Sequence, residues 1–314
     1  MLIGLDWGTS ALRAYLLDGA GRVVDSAAAP LGILKVPDGD FAGALDAIAG
    51  PWLAAHPEAP VLACGMIGSR QGWREAPYVP CPAGLADLAD AVVEAAIHRG
   101  RPVRIVPGVS RIDQDGVPDV MRGEETKICG AGEGVVAKDG LFVLPGTHCK
   151  WARLQGGRIT WFATFMTGEL FAVLCAHSIL GRLMEGEAHD PETFRRGVAH
   201  ALAPAAGRGK LLHRLFSART LGLFDRVPKT GLRSYLSGLL IGSEAVEARA
   251  ALASTAAPPP ASATISVIGS ATLVPLYAEA LVLAGFACVE RDEQVAARGL
   301  HLIAAAAGLV QDRQ

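Results

Sequence analysis

The apolar positions at the start of the chain describe a strand that runs into polar residues. Residues 2–5 read Leu-Ile-Gly-Leu, which is typical of a buried strand. The chain then passes through DWGTS at 6–10 and resumes an apolar pattern at Ala11, with a Gly-rich turn before Val23. The pattern predicts a strand, a tight turn, a second strand and a third, that is, a hairpin and the start of a meander.

A second segment, which begins at Leu144, repeats this pattern. Aligning Gly8-Thr9 with Gly146-Thr147 places Ala14 on Ala152, and the Gly-Arg-Val of the first copy falls on Gly-Arg-Ile of the second after a one-residue shift. Two ordinary hairpins in one α/β protein remain the alternative. The repeat predicts an internal duplication with one copy in each domain.

The length of 314 residues agrees with two domains on the usual prior of ~150 residues each. The segment GAGEGVVAKDG is Gly-rich and polar, which favours a boundary there. We therefore predict an N-terminal domain at 1–133 and a C-terminal domain at 134–314.

Helical and strand patterns alternate in the first half of the chain. Helical spacing covers 38–56 and 82–100, whereas 59–68 and 102–109 read as strands. The second half predicts successive helices, then a strand, a Gly-Ser turn and a helix; these segments are 165–184, 193–202, 211–224, 232–252 and 264–286. Close helix packing and nucleotide binding both explain the small residues in 232–252. The alternation predicts an α/β protein with a βαβ-containing sheet.

Composition and charge point to a small-molecule partner. About half of the residues are apolar, so a sizeable core is expected, and a net charge of −2 gives no footprint for nucleic acid or an anionic membrane. The six cysteines and eight histidines show no spacing for a disulfide framework or a zinc site. No basic stretch precedes the first apolar run, and no apolar run is long enough to span a bilayer, so we expect a cytoplasmic protein.

The first turn has the residues of a phosphate site. Backbone N–H groups near Gly8, with the hydroxyls of Thr9 and Ser10, can hold a phosphate that approaches closely over the glycine. Asp6 at the strand tip can hold a hydrated Mg²⁺ that bridges phosphate oxygens. The alternative is that Asp6 and Ser10 only cap a turn.

Two further turns extend this hypothesis to a whole nucleotide. Gly146, Thr147 and His148 form the second phosphate-binding candidate. Gly269 and Ser270, between a strand and a long helix, suit a flat ring lying over backbone, although a plain strand–helix connection reads the same. Together the three turns predict a nucleotide between two domains, with two turns on phosphates and one near the base.

Several motifs resemble a known family. LDWGTS, the PGT turn, and the GS turn followed by a helix and ARG-LHLIAAAAG resemble the sugar-kinase/actin/heat-shock-70 ATPase superfamily. Within it, GMIGSRQGW, VMRGEET, LPGTHCKW and TFMTGELF closely resemble the 2-dehydro-3-deoxygalactonokinase family, over nearly the whole chain. The resemblance implies two ribonuclease-H-like (actin-like ATPase) domains around a nucleotide cleft. It also implies MgATP-dependent phosphorylation of the 6-hydroxyl of 2-dehydro-3-deoxy-D-galactonate in galactonate or galactose catabolism.

The resemblance also indicates a catalytic base. In related carbohydrate kinases a carboxylate follows a glycine, opens the interdomain helix and precedes the second Gly-Thr turn. Glu124 matches this position, although those relatives typically carry Asp. The alternative is that Glu124 and Glu125 only favour the N-terminus of a helix through its dipole. His148 and Glu125 are the next candidates for the base.

The segment CGMIGSRQGWREAP follows a strand, as the sugar-binding segment of similar kinases does. Arg70 can bind a substrate carboxylate bidentately, Ser69 and Gln71 can reach hydroxyls, and Trp73 can pack on the carbon skeleton. A surface loop would equally explain Arg70. Further anionic-ligand candidates are Arg122 and Lys150, for which a buried salt bridge is the alternative. Thr167 and Glu169 are either a helix start or ligand contacts.

The predicted partners are a sugar acid and ATP with Mg²⁺, without nucleic acid or membrane, and a homodimer is left open. Two other functions fit the same pattern. One is a kinase for another sugar or sugar acid, such as the gluconate epimer. The other is an actin-like ATPase scaffold. The segment GSRQGWREAPYVPC argues against a scaffold, because its residues are typical of a small-ligand site.

Overall fold

The computed structural model describes residues 1–132, 138–204, 210–255, 258–260, 262–292 and 294–310. The chain forms two compact units. The first consists of Met1–Gly140, Ala152–Phe162 and Asp292–Gln314, and the second of Leu141–Trp151 and Ala163–Arg291. The predicted boundary between residues 133 and 134 falls outside the described residues and stays a prediction.

Strands and helices alternate along the chain. The strands are β1 Leu2–Trp7, β2 Leu12–Leu17, β3 Val23–Ala29, β4 Val61–Cys64, β5 Tyr78–Pro80, β6 Ala83–Gly84, β7 Val93–His98, β8 Arg101–Ile105, β9 Gly108–Ile112, β10 Pro118–Met121, β11 Gly140–Leu144, β12 Cys149–Gln155, β13 Arg158–Phe165, β14 Thr264–Ile268 and β15 Ala287–Arg291. The helices are α1 Phe41–Ala55, α2 Leu85–Asp90, α3 Glu124–Cys129, α4 Thr167–His177, α5 Pro191–Leu202, α6 Leu211–Leu215, α7 Ser217–Leu223, α8 Leu232–Ala253, α9 Val274–Leu283 and α10 Val295–Ala306.

The first sheet contains the predicted hairpin at its centre. Its order is β3-β2-β1-β4-β8-β7, in which β1 pairs antiparallel with β2 and parallel with β4. Asp6 lies opposite Arg13 in the first pair and beside Cys64 in the second. All six residues of β1 are buried, because α1 and the other strands pack around them. The strand extends two residues beyond the predicted 2–5, so Asp6 and Trp7 belong to it.

The strand order occurs twice, as the sequence repeat predicted. A further sheet has the order β15-β14-β11-β12-β13-β6, so β13-β12-β11-β14-β15 repeats β3-β2-β1-β4-β8. In the first sheet, β4 pairs parallel with β1 and with β8. In the second copy, β14 likewise pairs parallel with β11 and with β15. A small third sheet has the order β10-β9-β5.

The predicted helix over 82–100 is wrong in its second half. The helix α2 ends at Asp90, and Val93–His98 is a strand that pairs antiparallel with β8. Arg99 and Gly100, which connect the two strands, both have positive φ, at 47° and 75°. This two-residue turn suits a hairpin, so pairing with β8 outweighs the helical spacing of an Ala-rich segment.

Helix α3 and helix α10, both in the first unit, pack so closely that their backbones are in contact. A Cβ on Gly130 would lie 1.9 Å from the carbonyl oxygen of Val295, and one on Gly299 would lie 1.9 Å from that of Thr126. The Arg298 guanidinium also donates to the Gly130 carbonyl at 3.0 Å. These glycines permit the close approach that fixes the position of α3.

In the second unit, α5 and α8 pack closely through glycines. A Cβ on Gly197 would lie 2.1 Å from the Tyr235 carbonyl oxygen, and one on Gly238 would lie 2.1 Å from that of Phe194. Close helix packing therefore accounts for Gly238, one of the small residues of α8. None of the helices among the described residues is both long and apolar enough to cross a membrane.

Candidate active site

The site in the first unit is built where β1 ends. Asp6 is only 8% exposed, and its carboxylate lies 3.2 Å from Nζ of Lys127, on α3. The negative charge of Asp6 raises the pKa of Lys127 above its usual value, so the ammonium stays charged. The sequence interpretation missed Lys127. Its signal is the spacing of three from Glu124, which places both residues on one helix face.

Two glycines bring α3 to the ends of β1 and β4. Gly123 precedes the helix with φ of 105°, and a Cβ on it would lie 3.0 Å from Cα of Gly65. Gly65 has φ of 93°, and a Cβ there would lie 2.8 Å from the Trp7 carbonyl oxygen. Because side chains are strained in this conformation, the approach depends on both glycines.

The two glutamates at the start of α3 have different surroundings. Glu124 is half-buried, and its carboxylate accepts a hydrogen bond from the Arg122 backbone N–H at 3.0 Å. Glu125 is fully buried; its two oxygens accept from the Gly123 N–H at 2.9 and 2.7 Å, and Thr126 Oγ1 donates to one of them at 3.0 Å. Burial, with the nearby charge of Glu124, raises the pKa of Glu125 to about 7. Glu125 therefore holds the turn at Gly123.

Three charged side chains thus come together in the first unit, namely Asp6, Lys127 and Glu124. The Glu124 charge is among those that raise the pKa of Lys127. A lysine ammonium near a potential base can hold an anionic group close to that base. The predicted helix start at Glu124 is confirmed, and its role as base stays a prediction.

The first Gly-Thr turn presents its hydroxyls outward. The Gly8 N–H donates to the Ala11 carbonyl at 2.9 Å and so closes the turn, while Thr9 and Ser10 are exposed. Gly32 lies directly behind the turn, where a Cβ would be 2.3 Å from backbone atoms of Thr9 and Ser10. The phosphate-binding role of these residues stays a prediction.

The predicted sugar-acid segment divides into buried and exposed residues. The hydroxyl of Ser69 is buried without a hydrogen-bond partner among the described residues. The Arg70 side chain is 87% exposed and forms an ion pair with Glu75 at 3.0 Å. Gln71 is exposed. Trp73 is half-buried and stacks on Phe41 with ring centroids 6.1 Å apart, so one face of its ring belongs to the core.

Arg122 is buried where the sequence left a salt bridge open. It is 7% exposed, donates from one terminal nitrogen to the Ala76 carbonyl at 2.8 Å, and lies over the Tyr78 ring at 4.2 Å. Its Nε and its other terminal nitrogen have no hydrogen-bond partner in the described part of the chain. A Cβ on Gly68 would be 2.9 Å from that second terminal nitrogen. Such buried donors cost about 1–3 kcal/mol each when left unsatisfied.

The second Gly-Thr turn lies at the start of α4 in the second unit. A Cβ on Gly168 would lie 2.2 Å from the Gly146 carbonyl oxygen, and the Glu169 N–H donates to the Thr147 carbonyl at 2.9 Å. His148 is exposed, and its Nε2 lies 2.5 Å from Oε2 of Glu169. Residues 167–169 are thus a helix start, one of the two alternatives. Ligand contact for them stays untested.

The third turn is a neighbour of the second. A Cβ on Gly269 would lie 3.4 Å from the carbonyl oxygen of Pro145, and Ser270 Oγ lies 3.0 Å from Thr272 Oγ1. The structure therefore brings the predicted phosphate and adenosine turns of this unit together.

Lys150, the other anionic-ligand candidate, is buried and donates to Thr164 Oγ1 at 2.6 Å.

The donor set limits how a metal ion could bind. The described residues contain no group of three or more His, Cys, Asp or Glu side chains able to hold a metal. Mg²⁺ usually keeps several waters and uses one or two carboxylates with substrate phosphates, so Asp6 fits such an ion through water. It would share Asp6 with Lys127.

The duplicated strand order, with a Gly-Thr turn in each copy, defines an α/β fold of the actin-like ATPase class. The solved structure of the activator of the 2-hydroxyisocaproyl-CoA dehydratase from Clostridium difficile, with bound ADPNP, has the same fold. It superposes with a TM-score of 0.53 at 11% identity, over 100% of this chain and 98% of that one.

The chain belongs to the 2-keto-3-deoxy-galactonokinase family, whose sequence profile matches residues 6–303. It is 36% identical over 301 residues to a probable 2-dehydro-3-deoxygalactonokinase of Rhizobium meliloti (strain 1021), covering 93% of each chain. It is 33% identical over 247 residues to the 2-dehydro-3-deoxygalactonokinase of Escherichia coli (strain K12), covering 79% of this chain and 80% of that one.

A solved structure agrees with this membership. A Sinorhizobium meliloti protein that carries the provisional name 2-dehydro-3-deoxygalactonokinase superposes with a TM-score of 0.83 at 34% identity, over 98% of this chain and 99% of that one. The family and the fold class that the motifs indicated are confirmed.

Proposed function

We propose that the chain transfers the γ-phosphoryl group of ATP to the 6-hydroxyl of 2-dehydro-3-deoxy-D-galactonate, a step of galactonate or galactose catabolism in the cytoplasm. The observation that carries the proposal is the group Asp6, Lys127 and Glu124 at the end of β1, in a chain whose family match spans these residues. Phosphoryl transfer requires positioning, positive charge near the phosphates and an acceptor for the hydroxyl proton.

The step assigns one role to each charged side chain. Glu124 takes the proton of the 6-hydroxyl while that oxygen bonds to the γ-phosphorus, and the bond to the β–γ bridging oxygen breaks, releasing ADP. Lys127, held by Asp6, offers positive charge to a phosphate oxygen. Bound Mg²⁺ would supply further charge neutralisation, and Asp6 would hold it through water.

Buried polar groups in and beside the sugar-acid segment support recognition of an acid. Ser69 belongs to the segment, and Arg122 lies against its Gly68 and Ala76. A carboxylate or hydroxyl of the substrate would satisfy the unpartnered nitrogens of Arg122 and the Ser69 hydroxyl, which are buried in the same unit. Arg70 is the alternative ligand for the substrate carboxylate. Its side chain is exposed and already forms an ion pair with Glu75, which makes it the weaker candidate. The assignments of Gln71 and Trp73, and of the phosphate and adenosine turns, stay predictions that can be tested separately.

The deciding experiment is turnover of MgATP with a panel of acceptors. The panel comprises 2-dehydro-3-deoxy-D-galactonate, its gluconate epimer, galactonate and an uncharged sugar, with ADP release and ³¹P NMR of the product as readouts. We expect the highest kcat/KM for 2-dehydro-3-deoxy-D-galactonate and a phosphate on O6. ATP hydrolysis that is independent of every acceptor would indicate a scaffold ATPase. A higher kcat/KM for another acceptor would make that acceptor the substrate instead.

A further inference from the structure

A buried carboxyl group lies behind the two turns of the second unit. Glu244, on α8, is 3% exposed and accepts hydrogen bonds from Trp151 Nε1 at 2.7 Å, from the Tyr277 hydroxyl at 2.8 Å and from Thr167 Oγ1. These three partners are neutral, and burial raises the pKa of Glu244. Burying a carboxyl group is costly even with hydrogen bonds, and well-packed apolar side chains often serve stability as well. The arrangement therefore calls for a reason other than stability.

One partner of Glu244 leads to the predicted phosphate turn. Thr167 is the first residue of α4, and the next two residues hold that turn, Gly168 by contact with the Gly146 carbonyl and Glu169 by its N–H on the Thr147 carbonyl. A shift of Thr167 would therefore move the backbone that supports Gly146 and Thr147.

A second partner leads to the predicted adenosine turn. Tyr277 is on α9, whose first residue, Val274, donates its N–H to the Ser270 carbonyl at 3.0 Å. The Val274 side chain also lies 3.4 Å from where a Cβ on Gly269 would be. Fixing Tyr277 thus fixes the rotation of α9 and the turn at its start.

The third partner, Trp151, is on β12, the strand that leaves the phosphate turn. Glu244 consequently contacts one element beside the adenosine turn and both elements beside the phosphate turn. We propose that Glu244 is a positioning residue for nucleotide binding, which holds the phosphate turn (146–148) and the adenosine turn (269–270) at the spacing that ATP requires. The inference rests on the proposed function for the assignment of these two turns to ATP.

The chain offers near-isosteric variants and a matched control. Tyr277→Phe and Thr167→Val each remove one hydroxyl that Glu244 accepts from. Tyr235→Phe is the control, because Tyr235 is also a buried tyrosine of the second unit, on α8 itself. Its hydroxyl bonds to Ser217 at 2.8 Å and His200 at 2.5 Å, on α7 and α5, which carry neither turn.

The measurements are the Kd for ATP by calorimetry without sugar acid, the two KM values, kcat and the melting temperature of each full-length variant. We expect Tyr277→Phe and Thr167→Val each to raise the Kd and KM for ATP by roughly fivefold or more, the equivalent of about one neutral hydrogen bond. The KM for the sugar acid should stay unchanged. Tyr235→Phe should leave the Kd for ATP at the wild-type value despite a similar change in melting temperature.

Two results would overturn the inference: an unchanged Kd in both hydroxyl deletions, or an equal rise in the Tyr235→Phe control. Failure of the proposed function has a different signature. A wild-type chain that binds ATP but phosphorylates no sugar acid contradicts that function, and the Kd comparison still decides the role of Glu244.

Discussion

The two Gly-Thr turns have the same strand order around them and opposite chemistry. In the alignment that places Gly8 on Gly146, Asp6 of the first copy falls on Leu144 of the second. The first turn therefore has a carboxylate at its strand tip, paired with Lys127, whereas the second has an apolar residue there. The duplicated scaffold positions a turn in each unit, and only one copy keeps acidic chemistry at the strand.

The support behind each turn also differs. The first turn is backed by a single short turn of 3₁₀-helix, Ile33–Lys35, whose Ile33 N–H donates to the Gly8 carbonyl at 3.0 Å. The second is backed by the start of a helix, with Glu169 and the buried Glu244 behind it. We therefore expect the charged groups beside the first turn to act on the phosphates. The second turn is expected to hold the nucleotide in position.

The largest expected effect tests which helix start supplies the base. Glu124→Gln should lower kcat by roughly 10²–10⁴-fold and leave the Kd for ATP nearly unchanged, because the proton acceptor is lost. Glu169→Gln, the matched change at α4, should cost much less. If Glu169→Gln is the inactive enzyme instead, the base belongs to the His148–Glu169 pair and the comparison is reversed.

The next effect concerns the strand tip. Asp6→Asn should lower kcat by about 10²–10³-fold, because a neutral amide is a poor partner for Lys127 and for Mg²⁺-bound water. Steady-state kinetics at several Mg²⁺ concentrations measures this, with melting temperature as the check on folding. The control is Asp38→Asn, because Asp38 is exposed. Near-normal turnover in a folded Asp6→Asn protein would remove the chemical difference between the two turns.

The buried acid at the start of α3 predicts a pH effect. The folded-state pKa of Glu125, about 7, lies above the reference value of 4.5, so between these pH values the folded protein binds more protons than the unfolded chain. Stability therefore falls as pH rises through this window, by an amount on the order of 3 kcal/mol from this group. Urea unfolding from pH 5 to 8 should show a smaller decrease in Glu125→Gln than in wild type, and identical slopes would contradict the assignment.

The smallest expected effect separates the two arginines of the first unit. Arg122→Lys should weaken sugar-acid binding by about 1–3 kcal/mol, because lysine lacks the planar set of donors. The change should appear as a higher KM for the sugar acid, with little change in the KM for ATP. Arg70→Lys should do less, since Arg70 is exposed and paired with Glu75. Loss of sugar-acid affinity in Arg70→Lys alone would favour the sequence-based assignment of Arg70. Equal shifts for both substrates in Arg122→Lys would make Arg122 structural.

Local patterns were sufficient for much of the fold. The two hairpins, the helix that starts at Glu124 and the long helix of the second unit follow from residue periods and glycine positions. The motifs were also sufficient for the family, which the comparisons confirm. These features depend on residues close together in sequence, so the sequence by itself determined them.

Contacts between distant residues decided the rest. Val93–His98 became a strand because β8 offered a partner, and Ala83–Gly84 joined the sheet of the second repeat through Arg158 and Ile159. The pairing of Lys127 with Asp6, the burial of Arg122 under Tyr78 and the setting of Glu244 likewise join residues many positions apart. No local pattern encodes such pairs, because burial and charge pairing depend on which surfaces meet once the chain has folded.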